Sequence, residues 1–238
     1  MLVDGAPATK PARLVDPAQA LELLGPPPRF VGRGGEKLDA ALDRFSLDVS
    51  GRRALDAGAS TGGFTDCLLQ RGACEVVAVD VGYGQLHERL RRDPRVRNLE
   101  RTNVREVDLD VIGGPVSIVV ADLSFISLRT VLPVLVGLGA DDLVLLVKPQ
   151  FEAGREDAAR GRGVIRDPAI WQRVLGDVRA AAGAQGAAMM GVMPSPITGA
   201  QGNVEFLVHL RPGTDGAADV DVEAVVVEAV AAHQAETR

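Results

Sequence analysis

Between residues 53 and 210 the chain returns again and again to short, mostly apolar runs separated by stretches with helical spacing. This alternation is the tightest constraint on its fold. The runs are Arg53 to Asp56, Glu75 to Asp80, Val96 to Leu99, Val116 to Ala121, Leu143 to Lys148 and Val204 to Leu210. They are rich in Val, Leu and Ile and do not alternate with polar residues, which is how strands covered on both faces read. Helical stretches fall between them at Gly63 to Arg71, Gln85 to Arg92, Ser127 to Gly137 and Pro168 to Ala182. A further helix is expected before the first run, from Gly34 to Phe45. There Leu38, Ala41, Leu42 and Phe45 recur at i, i+3, i+4 and i+7. The pattern predicts an α/β domain with a doubly wound, mostly parallel sheet.

Outside that region the first 28 residues are Pro-rich, with a turn at Val3-Asp4-Gly5, a short strand expected near Leu14-Val15 and a stiff linker at Pro26, Pro27 and Pro28. A boundary is placed there, with a single domain over residues 29–238. Gln150 to Asp167 reads as a long polar loop. Its arginines, Arg155, Arg160, Arg162 and Arg166, suggest an RNA-facing lid, offset by Glu152, Glu156, Asp157 and Asp167. Val220 to Ala232 reads as an amphipathic helix whose polar side is acidic. With aromatics at 3%, the core has to be built from Val, Leu, Ile and Ala. The formal net charge of −6 argues mildly against a nucleic-acid partner, although the basic residues cluster at Arg89 to Arg105 and Arg155 to Arg166. Cys67 and Cys74 lack a C-x-x-C spacing and a nearby His, so both are expected as reduced, buried or half-buried small residues, and no metal site is expected. Neither a signal peptide nor an apolar run of membrane-spanning length is visible, so a cytoplasmic protein is expected.

The strongest local signal is Leu55-Asp56-Ala57-Gly58-Ala59-Ser60-Thr61-Gly62-Gly63-Phe64: a strand end, a turn of small residues, then a helix. Glycines let the backbone approach a ligand, and the helix start offers free N–H groups. The spacing D-x-G-x-x-x-G-G is not the dinucleotide fingerprint. A pyrophosphate would not favour the carboxylate of Asp56, whereas the ammonium and sulfonium of S-adenosylmethionine would. Asp80 ends the next strand, a place from which carboxylates accept hydrogen bonds from ribose hydroxyls.

Methyl transfer to an alcohol needs a weak nucleophile to be aligned and relieved of its proton. Lys148 and Asp122 each stand at the end of an apolar strand, where ligand sites lie on such sheets. Glu205 falls inside an apolar strand and could equally face water. Lys37, next to Glu36 on the first helix, reads on physical grounds as an exposed charge.

Those same strings resemble one family. Arg33 to Leu38 (RGGEKL), Leu55 to Leu69 (LDAGASTGGFTDCLL), Ala78 to Leu86, Glu100 to Asn103, Asp122 to Leu128 (DLSFISL), Val147 to Arg155 (VKPQFEAGR) and Gly202 to Phe206 are similar to the TlyA, or hemolysin A-like, ribosomal RNA 2′-O-methyltransferases of the FtsJ-like group. The resemblance runs over nearly the whole chain. It implies a Rossmann-like sheet of the class I S-adenosylmethionine-dependent methyltransferase type. It also implies ribosomal RNA or ribosomal subunits as partner, cytidine ribose as acceptor, and a catalytic tetrad at Lys37, Asp122, Lys148 and Glu205, which reverses the exposed reading of Lys37. Cofactor contacts are implied at Asp56, Gly58, Ser60, Thr61, Gly62, Gly63, Phe64, Asp80, Asn103 and Asp122. Met1 to Leu24 resembles only the end of the small RNA-binding domain with which family members begin. The competing expectations are a small-molecule O-methyltransferase and a membrane-lytic protein of the hemolysin kind.

Overall fold

Seven strands at the centre of the computed structural model turn the apolar runs into one sheet; residues 1–10, 13–22, 24, 28–199, 201–214 and 220–236 are described. Three two-residue strands come first, β1 (Leu2–Val3), β2 (Ala6–Pro7) and β3 (Leu21–Glu22), and form a small separate antiparallel sheet. The strand expected at Leu14-Val15 is not there. Leu14 is 95% exposed and has no sheet face to bury it, and the strand role falls to Leu21–Glu22, paired with β1. Of the proline linker, Pro26 and Pro27 lie outside the described residues.

Helix α1 (Gly34–Arg44) precedes β4 (Arg53–Ala57). Then follow α2 (Gly63–Gln70), β5 (Glu75–Val79), α3 (Glu88–Arg91), β6 (Val96–Leu99), α4 (Leu109–Ile112), β7 (Ile118–Ala121), α5 (Leu128–Gly137) and β8 (Asp142–Val147). Two short helices, α6 (Pro149–Glu152) and α7 (Arg155–Arg160), lead to α8 (Pro168–Ala184), β9 (Ala187–Pro194), β10 (Phe206–Pro212) and α9 (Val222–Glu236). The sheet order is β6-β5-β4-β7-β8-β10-β9. The first five strands are parallel, and β10 is antiparallel to both neighbours. The doubly wound, mostly parallel sheet is thus as expected, with one strand, β9, that the apolar runs did not announce. Gly191 interrupts its apolar pattern, and five of its eight residues are alanine or methionine, which are not strand formers by preference.

Every residue of β8 is buried, so one apolar layer lies on each face. On one face Val131, Leu132 and Leu135 of α5 meet Val174, Leu175 and Val178 of α8 and Val225, Val226 and Ala229 of α9. On the other, Leu38, Ala41 and Leu42 of α1 pack with Phe64, Cys67 and Leu68 of α2 and Leu90 of α3. Trp171 is the largest fully buried side chain. Its ring lies edge-on to Phe206 at 6.0 Å, and its Nε1 donates to the Ile165 carbonyl at 3.1 Å. Trimming a side chain of this size to Ala costs about 3–5 kcal/mol.

The 150–167 segment is not a plain loop. Pro149 begins α6 where a missing N–H costs nothing, and Asp167 closes the segment by accepting from Ala169 N at 2.9 Å as the cap of α8. Arg160, Arg162 and Arg166 are exposed, and Arg160 pairs with Asp157 at 3.2 Å. Cys67 is buried as expected, but Cys74 is exposed: it precedes β5 in the turn out of α2, where only its backbone is engaged, donating to the Arg52 carbonyl at 2.9 Å. Among the described residues no helix is long and apolar enough to cross a membrane.

Candidate active site

Strand order brings the chemistry to one edge of the sheet. β4 and β7 are adjacent and parallel, so Gly58 and Asp122 emerge side by side; β7 and β8 are likewise adjacent, so Asp122 and Lys148 do too. β10 runs the other way, with Phe206 opposite Val147. Its entry, not its exit, therefore lies at this edge, and Glu205 arrives beside Lys148. The expected strand began at Val204; the observed one begins at Phe206, which leaves Glu205 just outside the ladder and 3% exposed rather than facing water.

Two ion pairs result. Lys148 Nζ lies 2.6 Å from Asp122 Oδ1. The approach is off the line of a good hydrogen bond, and Oδ1 accepts no aligned one. The amine's aligned bond goes to Ser124 Oγ, at 2.8 Å. Lys37 Nζ meets Glu205 Oε2 at 2.5 Å, with both side chains under a tenth exposed. Lys37 is therefore a buried, paired amine and not the solvated charge its neighbourhood in the sequence suggests. Of the 26 basic residues only three are lysines, and two of those three are here.

Three cavities meet at these groups. The first, of about 430 Å³, is lined by Gly58, Ser60, Asp80, Asn103, Asp122 and Ser124, with Val79, Val81, Val104, Leu123 and Ile126 as its apolar walls. Asp80 stands in it with both oxygens engaged, accepting from Ser60 N at 2.8 Å and Gly82 N at 2.7 Å. Asn103 accepts from Arg105 N at 3.1 Å and so caps a short turn at Val104–Glu106. The second, of about 190 Å³, lies over the glycine turn, between Gly58, Ser60, Thr61, Gly63, Phe64, Asp122, Ser124 and Lys148. The third, of about 460 Å³, lies beyond Lys148 and is lined by Ser124, Phe125, Gln150, Phe151, Asn203 and Glu205 among others.

The turn itself is built for close approach. Gly58 has φ +86°, and a Cβ there would stand 2.6 Å from the Asp122 carbonyl oxygen. Gly62, also at positive φ, is turned instead toward Leu86 and Leu90 and lines none of the three cavities. Nor does Asp56: it is wholly buried beneath the turn, where Oδ2 accepts from Thr65 Oγ1 at 2.6 Å and Oδ1 has no partner. Burial pushes its carboxyl up to about 7, against the Thr65 hydrogen bond and with help from the charges of Asp122 and Asp80. No group of three or more metal-ligating side chains occurs among the described residues.

The FtsJ-like methyltransferase family matches residues 30–212, which takes in all four charged groups and the turn between them. The chain belongs to the FtsJ-like methyltransferase family. This FtsJ-like methyltransferase is 53% identical over 218 residues to the 16S/23S rRNA (cytidine-2′-O)-methyltransferase TlyA of Mycobacterium tuberculosis, an alignment covering 90% of this chain and 81% of that protein. A solved structure described as a putative hemolysin from Streptococcus thermophilus superposes with TM-score 0.88 at 43% identity, over 98% of this chain and 86% of that one. An S-adenosylmethionine-dependent methyltransferase from Mesorhizobium loti matches 72% of this chain and 96% of that one, with TM-score 0.52; at 17% identity it shares the fold alone.

Ser124, Phe125, Phe151 and Asn203 line the third cavity and escaped residue-by-residue reasoning. Ser124 is too common a residue to stand out. Phe125 is 91% exposed at φ +65°, with its ring 5.2 Å from that of Phe151. An aromatic next to a strand end reads as core until the fold shows it outside. Asn203 is buried; its Oδ1 accepts from Ile165 N at 2.9 Å and its Nδ2 donates to the Gly163 carbonyl at 2.9 Å. It ties the segment after α7 to the approach to β10, a role invisible without the contact.

Proposed function

We propose that this FtsJ-like methyltransferase moves a methyl group from S-adenosylmethionine to the 2′-hydroxyl of a cytidine ribose in ribosomal RNA, in the cytoplasm and without a metal. The observation carrying this reading is that Lys148, held by Asp122, forms the wall between the small cavity over the glycine turn and the larger cavity beyond it. The cofactor supplies an electrophilic methyl on a sulfonium. The chain supplies its seat: apolar walls for the adenine, the Asp80 carboxylate for ribose hydroxyls, Asn103 beside it, and the turn Gly58 to Phe64, which only small residues can bring so close. Asp122, which lines both the cavity with Asp80 and the one over the glycine turn, places negative charge where the cofactor is cationic. That donor set suits a cation and would repel a pyrophosphate.

On the acceptor side, the amine of Lys148 in its neutral form would orient the hydroxyl and receive its proton as the methyl passes from sulfur to that oxygen, the sulfonium leaving as a neutral thioether. Asp122 holds that amine. The Lys37–Glu205 pair closes the far wall through Glu205, a neutral unit overall that brings the acceptor cavity a carboxylate without a net charge. The sequence similarity to a named cytidine-2′-O-methyltransferase supports the acceptor. Labelled-methyl transfer to naked rRNA, isolated subunits and assembled ribosomes tests the reading. The parent protein should label one of them at a ribose 2′-oxygen, and Lys148→Ala should bind S-adenosylmethionine yet transfer nothing. Turnover by Lys148→Ala near the parent rate would overturn it.

A further inference from the structure

The Ser124 hydroxyl occupies a place no other side chain shares. Among the described residues it alone lines all three cavities: the one with Asp80, the one over the glycine turn and the one beyond Lys148. It also takes the one well-aligned hydrogen bond of the Lys148 amine, at 2.8 Å, while the closer Asp122 oxygen is met off-axis. Attraction between opposite charges is nearly independent of direction, so Asp122 fixes how near the amine sits but not how it is turned. A hydrogen bond is directional and weakens steeply once bent. Since Ser124 Oγ accepts from the amine, its own hydrogen is left to donate, and no acceptor for it occurs among the described residues.

We infer that Ser124 is a positioning residue for methyl transfer. Its Oγ sets the rotation of the Lys148 amine, so that one bond direction of nitrogen faces the acceptor cavity, and its hydroxyl hydrogen donates to an oxygen of the incoming ribose. The role rests on the function proposed above. Ser124 itself forms and breaks no covalent bond. It is held for this by its own loop, because Glu152 in α6 accepts from Ser127 Oγ at 2.6 Å and Leu128 N at 2.6 Å and so binds the loop after β7 to the element that follows Lys148.

The test compares the full-length parent, Ser124→Ala and Ser124→Thr on undermethylated ribosomal subunits, reading kcat, acceptor KM and S-adenosylmethionine Kd. A lost directional hydrogen bond predicts a fall in kcat of about tenfold or more for Ser124→Ala, with cofactor Kd within about twofold and the melting temperature unchanged. Ser124→Thr, which keeps the hydroxyl, should recover most of the rate. A second readout does not depend on turnover. With only three lysines, a protein carrying 13Cε-lysine gives three side-chain signals, and the one lost in Lys148→Ala is Lys148. Ser124→Ala should shift that signal and leave the Lys37 signal in place. A Ser124→Ala protein with parental kcat, or with an unmoved Lys148 signal, would overturn the inference. A parent that methylates no ribosomal substrate would overturn the underlying reading, and the role with it.

Discussion

Gly63 faces Gly35 so closely that a methyl group on Gly63 would stand 3.0 Å from the Gly35 backbone nitrogen, with Gly32 O and Gly34 Cα scarcely further away. The start of α2, which carries the glycine turn, thus abuts the start of α1, which carries Lys37. All three obstructing atoms are backbone, so none can swing aside. Gly63→Ala should push the two helices apart by tenths of an ångström. Overpacking of this kind costs about 1–3 kcal/mol, which for a chain of this size lowers the melting temperature by roughly 2–4 °C per kcal/mol. Thermal unfolding and calorimetric titration with S-adenosylmethionine check this. An unchanged melting temperature with parental affinity would mean that the contact between the helices yields freely.

The fold was legible because apolar runs such as Leu143 to Val147 can only be strands buried on both faces. The edge where the four charged groups gather was half legible for a related reason. Lys148 and Asp122 announce themselves by ending such strands, and parallel neighbours must bring them together. Lys37 and Glu205 could not be read this way. Their meeting depends on β10 running antiparallel and on α1 folding back against α2, both tertiary facts, and only the resemblance of their motifs to a family pointed to them. Asn203 and Ser124 lie further out of reach, since what they do is a matter of which atoms stand within hydrogen-bonding distance.

The Lys37–Glu205 pair yields a prediction that separates stability from function. Removing one partner of a buried pair strands the other charge, at a cost of about 3–5 kcal/mol, whereas replacing both with apolar residues is often neutral. Lys37→Met and Glu205→Leu should each be strongly destabilised. The double variant should recover most of that loss in a denaturant-unfolding cycle and still transfer no methyl group. A double variant that regained activity along with stability would reduce the pair to a structural prop.

Asp56 makes stability depend on pH in a direction unusual for a carboxylate. Burial pushes its pKa in the fold from the ordinary 3.8 up to about 7, above that of the unfolded chain. Its contribution is therefore fully present below about pH 4, and is lost as pH rises through 7, where the buried group has to ionise. Asp56→Asn keeps the shape and can still accept from Thr65, but has no proton to lose. It should gain stability relative to the parent as pH rises from about 4 to 7 and level off above about 8, by up to a few kcal/mol in all, since a tenfold change in acidity between the folded and unfolded chain is worth about 1.4 kcal/mol. Unfolding midpoints of the two proteins that ran parallel over that range would place the Asp56 titration elsewhere.

Lysine is spent sparingly here: arginine serves nearly every ion pair on the surface, and the site holds two of the three amines. Arginine would hold Asp122 at least as well, because its planar fork suits a carboxylate. What it cannot do is give up a proton at any pH the protein meets. Lys148→Arg therefore separates charge from proton transfer. If the amine only balanced Asp122, the variant would keep much of the parental rate. If it takes the proton of the acceptor hydroxyl, the variant should bind S-adenosylmethionine normally and lose methyl transfer by about a hundredfold or more, the span that a positioned general base contributes. Single-turnover transfer at saturating cofactor distinguishes the two, and a rate within a few-fold of the parent would remove Lys148 from the proton's path while leaving it in the site.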